Sequence, residues 1–137
     1  MQVLTYPEAD ADACRRLVAS VLKELVGPAG DVKPRDIVVL TPRSPRSSWL
    51  AGVKVGSYTL ISEAGPEGAP LPAPTSAWEV RLSTIHRFKG LESPVVILAE
   101  IDGRVPADQL AGLLYVGATR ASVSHLVVIG SEGVVSG

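Results

Sequence analysis

The chain has 137 residues, 46% of them apolar and only 4% aromatic, with a formal net charge of −1. That length and composition suit a single folded domain and exclude a disordered polymer, while the near-zero charge excludes a broad basic field, so any contact with nucleic acid has to be local. No apolar run approaches the ~20 residues that span a bilayer, the start Met-Gln-Val-Leu-Thr lacks signal-peptide character, and Cys14 has no intrachain partner; a cytoplasmic location is expected.

Gln2 to Tyr6 reads as a short strand. Pro7, followed by Glu8, Asp10 and Asp12, has the proline-led, acidic character of a helix start. Leu17, Val18, Val21, Leu22 and Leu25 recur at three-to-four spacing and gather on one face of that helix, which Gly27-Pro28 ends. Asp36 to Leu40 is a β-branched run without alternation, the mark of a strand buried on both faces of a parallel sheet. Ser62 to Ala77 holds four prolines and two glycines and reads as an exposed loop. Val80 to Thr84 alternates as a strand running into a turn, and His86 to Leu91 forms a short turn or helix. Val95 to Ala99 is a second buried strand, Pro106 to Ala121 a second long helix, and Leu126 to Ile129 the closing strand. Strands alternating with helices predict a mainly parallel α/β sheet with helices on both faces, in one domain over residues 1–137.

Two segments carry the chemistry. Leu82-Ser-Thr-Ile-His-Arg-Phe-Lys-Gly-Leu-Glu92, followed by Val95-Val-Ile-Leu98, resembles motif V of the UvrD/Rep-type superfamily 1 DNA helicases. Leu113-Leu-Tyr-Val-Gly-Ala-Thr-Arg-Ala121 resembles their motif VI. Both stand in the right order on a chain that independently reads as parallel α/β. The resemblance implies the C-terminal, second RecA-like motor domain, with a three-layer fold of the P-loop NTPase kind. It also implies ATP as the fuel, single-stranded DNA as the track, and an N-terminal RecA-like domain of the same parent as the partner.

Arg120 has a physical case of its own. On a helical wheel, Leu110, Leu113, Leu114, Gly117, Ala118 and Ala121 form one apolar face with Arg120 at its border, where a rooted side chain projects sideways. Charge spreading over a γ-phosphate in phosphoryl transfer needs such a guanidinium, whereas a lone helix arginine usually pairs on the surface. The resemblance makes Arg120 the arginine finger. A glycine between a turn and a strand admits close ligand approach, and a carboxylate two residues on accepts hydrogen bonds from ribose hydroxyls. By resemblance, Gly90 and Glu92 therefore meet the nucleotide sugar. Lys89 matches a family lysine near the phosphates; a solvated lysine is the competing reading.

Thr84 and His86 follow a predicted strand, at the edge where open α/β sheets put ligands, and the resemblance gives them single-stranded DNA. Arg43 and Arg46, after the Ile37 to Leu40 strand, share that edge; phosphate grip and plain solvation are both open for them. Base stacking is open to Trp49 and Trp78, but isolated tryptophans more often anchor core or loops.

The departures are as informative. Nowhere does a Gly-x-x-x-x-Gly-Lys-Ser/Thr segment occur, so the phosphate-binding loop and the Mg2+ that accompanies it belong to the missing partner domain, and the chain alone is expected not to hydrolyse ATP. Where larger relatives insert an accessory domain before motif V, this chain has only the Ser62 to Ala77 loop. Two other readings stay open: a non-motor RecA-like module that binds nucleotide or protein, and part of a helicase-nuclease.

Overall fold

The computed structural model describes residues 2–7, 9–26, 32–42, 48–62, 78–84, 93–102, 112 and 121–131. Seven strands form one sheet: β1 (Gln2–Tyr6), β2 (Ile37–Thr41), β3 (Lys54–Val55), β4 (Tyr58–Ser62), β5 (Glu79–Thr84), β6 (Ser93–Ile101) and β7 (Ala121–Ser131). Their spatial order is β1-β7-β6-β2-β5-β4-β3. Every neighbouring pair is parallel except β3 with β4. The molecule is thus a mixed α/β protein with a mainly parallel sheet, as the alternation of elements predicts.

The helix α1 (Ala11–Val26) lies on the sheet. Its buried face is Cys14, Val18, Val21 and Leu22, and Leu17 and Leu25 pack partly buried against the same core. The helix begins later than Pro7. Asp10 is the N-cap, its Oδ1 accepting from the Ala13 amide at 2.9 Å, and its own amide donates to the Pro7 carbonyl. A short polar acceptor satisfies an otherwise orphaned donor of the first turn, which fixes the start better than the proline does.

Strand β2 is buried at all five positions. Ile37 and Val39 join the core under α1 with Val80, Leu82, Val95, Ile97, Val127 and Ile129. Val38, Leu40, Val96, Leu98 and Val128 are equally buried outside that cluster. A central parallel strand has no wet face, and this explains why its sequence shows no alternation.

Four expectations need correction. Asp36 sits in a 3-10 turn (Pro34–Asp36) and the strand starts one residue later. Ser62 is the last residue of β4 and not the first of a loop; residues 63–77 lie outside the described residues. The short β3 and β4, joined by Gly56-Ser57, have no counterpart in the sequence reading. Finally, Ala121 is no helix residue: β7 begins there, in register with Ser93, well before Leu126. Alanine favours helix by intrinsic propensity, and the ladder with the nine-residue strand β6 overrides that preference. Gly112 is helical, but most of the helix expected over 106–121 lies outside the described residues.

Candidate functional site

A parallel sheet has two chemically distinct edges, and ligands favour the one outside the carboxyl ends of the strands, where successive connections part in opposite directions. Here that place lies between β2 and β6. After β2 the chain builds β3, β4 and β5 on one side, whereas β6 is followed by β7 on the other. Thr41 ends β2 and Thr84 ends β5, and the two are in register across the ladder. Thr84 is half-buried, and its carbonyl accepts from the Ser83 hydroxyl at 3.0 Å. Of the residues picked out for DNA contact, Thr84 is the one the structure describes, and it stands at the carboxyl edge as expected.

The same edge holds a buried polar cluster that sequence reasoning missed. Glu100 is fully buried and has φ of 62°, in the left-handed region. The register with β7 shifts between Leu98 and Ile101, so β6 carries one extra residue there. Strict alternation would send Glu100 to the face of Val96 and Leu98; the bulge and the left-handed backbone turn it toward α1 instead. Thr41 Oγ1 donates to its Oε1 at 3.1 Å, Ser48 Oγ donates to the same oxygen, and the Trp49 amide donates to Oε2 at 3.1 Å. Ser48 Oγ in turn accepts from the Leu50 amide at 3.1 Å. A buried carboxylate is tolerable only when its lone pairs are occupied in this way.

Asp102, buried beside it, accepts from the Tyr6 hydroxyl at 3.1 Å. Tyr6 meets Trp49 edge to face, with ring centroids 6.3 Å apart. Arg15 of α1 donates its Nε to the Trp49 carbonyl at 2.8 Å. Trp49 is therefore an anchor, as expected of it, while Trp78 is 57% exposed and leans on Tyr58. Burial and then the negative charge of Glu100 push the Cys14 thiol up to about 12. Burial, followed by the nearby Cys14 and Asp102, raises the Tyr6 phenol as well. The signal that marks this cluster in the sequence is an apolar run, Val95 to Ala99, that ends abruptly in two acids, Glu100 and Asp102.

At the opposite edge, Ser93 pairs with Ala121, so β6 and β7 start side by side. Glu92 and Arg120 are the residues immediately before those two strand starts. They lie outside the described residues, as do His86, Lys89, Gly90, Arg43 and Arg46.

Residues 79–129 match the family of UvrD-like helicase C-terminal domains, a stretch that runs from the first residue of β5 to near the end of β7. Over this stretch the chain is similar to a UvrD-like helicase C-terminal domain. The match contains both segments quoted from the sequence, 82–92 and 113–121, so the UvrD-like reading and a helicase-related role stand on the family as well as on the motifs. No curated protein sequence matches the chain. Among the described residues, no helix is long and apolar enough to cross a membrane.

Proposed function

We propose that this chain is the C-terminal, RecA-like motor domain of an ATP-dependent DNA helicase or translocase, forming one wall of an ATP site whose phosphate-binding loop and Mg2+ are held by an N-terminal domain of the same cytoplasmic parent. The observation that carries this reading is the pairing of Ser93 with Ala121. It supports a shared edge for Glu92 and Arg120, the two residues that a nucleotide between domains requires from this side.

In that arrangement Arg120 meets the γ-phosphate as negative charge spreads over its oxygens, and the guanidinium stabilises the transition state more than the ground state. Glu92 accepts hydrogen bonds from the ribose, Gly90 lets the backbone come close, and Lys89 adds positive charge near the phosphates. Single-stranded DNA runs along the other edge. Thr84 and His86 meet its phosphates and sugars without reading bases, and Arg43 and Arg46 grip phosphate beside them.

Eight residues, 85–92, join the end of β5 at the DNA edge to the start of β6 at the ATP edge. Thr84 is level with the carboxyl half of β6 through their shared neighbour β2, where Val39 pairs with both Leu82 and Ile97. The short link between the two edges makes closure around ATP and grip on the strand parts of one movement, which is how fuel is converted to stepping.

The test is Arg120→Ala in the complete protein. ATP turnover is expected to fall ~1,000-fold or more, with ATP affinity changed no more than a few-fold. Unchanged turnover refutes the reading.

A further inference from the structure

Three contacts and the backbone between Glu100 and Asp102 close a ring around the far end of β6. Glu100 holds the Trp49 amide, the Trp49 ring meets Tyr6, and the Tyr6 hydroxyl donates to Asp102, two residues beyond Glu100. Thr41 and Ser48 tie the same carboxylate to the end of β2 and to the chain just before Trp49. The ring thereby joins β1, β2 and β6, whose contacting residues are 96 and 59 apart in sequence. Glu100 stays in it at the cost of a left-handed backbone, which is strained for a residue with a Cβ. Strain of that kind persists only where the surroundings over-determine it.

Strand β6 is the strut between the two edges. Its first residue follows the segment 82–92, and the chain that leaves its end runs on to the segment 113–121. Burial already sets the register of β6, since a slip of one residue would turn every side chain to the other face. The ring fixes the position of its far end as well, because Glu100 and Asp102 have partners on strands to either side of β6.

We propose that Glu100, Asp102 and Tyr6 are positioning residues that lock the far end of β6, so that the strand, and with it the approach of Glu92 and Arg120 to the nucleotide, keeps one position through each cycle of closure. The proposal rests on the reading of Arg120 given above. Misplacing reacting groups by as little as an ångström costs turnover while leaving ground-state binding nearly intact.

The experiment uses the complete protein and measures kcat and KM for ATP, with melting temperature, for Tyr6→Phe, Glu100→Gln, Leu22→Ala and Arg120→Ala. Tyr6→Phe keeps the ring contact and loses one hydroxyl; Glu100→Gln keeps the shape but has one acceptor oxygen in place of two, so the Trp49 amide and the Thr41 and Ser48 hydroxyls can no longer all donate to it as they do now. Leu22→Ala loosens α1 in the core, away from the polar ring, and serves as the control for stability alone. The expected result is a kcat lowered ~10-fold in Tyr6→Phe and Glu100→Gln, KM for ATP within twofold, and full kcat below the melting transition in Leu22→Ala. If the ring variants lose stability but keep kcat while Arg120→Ala abolishes turnover, the positioning role is overturned and the motor reading stands. If Arg120→Ala turns over normally, both fall.

Discussion

Cys14 lies fully buried on α1, against the strand ends of the polar ring. Its thiol is pushed from 9.0 up to about 12, first by burial and then by the charge of Glu100. The phenol of Tyr6 is raised too, by burial foremost and then by Cys14 and Asp102. For both groups the folded chain holds its proton where the unfolded chain releases it, so unfolding releases protons at alkaline pH. Stability is therefore complete below about pH 9 and falls as pH rises from there toward 12. Urea unfolding from pH 7 to 11 is expected to show this decline, shallower in Cys14→Ala; a flat profile contradicts the burial of these groups. At neutral pH the thiol is protonated and inaccessible, so alkylation is expected to follow unfolding and not precede it. None of this environment was visible in the sequence, where Cys14 is one small residue on a helix face. Tyr6 is close in sequence, but Glu100 comes from a strand 86 residues away and becomes a neighbour only once the sheet order is known.

At the scale of elements, α1, β2 and β5 were legible because each follows a single physical pattern. The three-to-four spacing of Val18, Val21 and Leu22 admits only a helix, and five successive buried positions in β2 admit only a strand with no wet face. The ends were not legible, since caps depend on single hydrogen bonds. Asp10→Ala is expected to cost about 1 kcal/mol through loss of the acceptor for the Ala13 amide. The β3–β4 hairpin escaped notice because β3 has two residues and its turn, Gly56-Ser57, lacks an asparagine or aspartate signal. Gly56 has φ of 60°, and a Cβ there would stand 3.3 Å from that of Ala19. Gly56→Ala is accordingly expected to cost about 1 kcal/mol or more, read as a lower urea midpoint with unchanged slope; an unaltered midpoint would show that the turn relaxes freely. Ala121 was misread for a different reason. A helical wheel extends an apolar face by one more residue at no penalty, whereas the ladder with Ser93 claims that residue for β7.

For the whole molecule, alternating elements were enough to foretell a mainly parallel sheet, and the segments 82–92 and 113–121 were enough to name the helicase family that residues 79–129 match. What alternation does not reveal is strand order. That β6 and β7 are neighbours, and start level with each other, is a long-range result of burying nine- and eleven-residue strands together. From it comes the division of the domain into an edge with Thr84 and an edge where the strands after Glu92 and Arg120 begin. The most direct measurement is ATP turnover by the complete protein with and without single-stranded DNA. The two-edged arrangement predicts strong stimulation by the single strand, lost together with basal turnover in Arg120→Ala; turnover indifferent to the strand would contradict it.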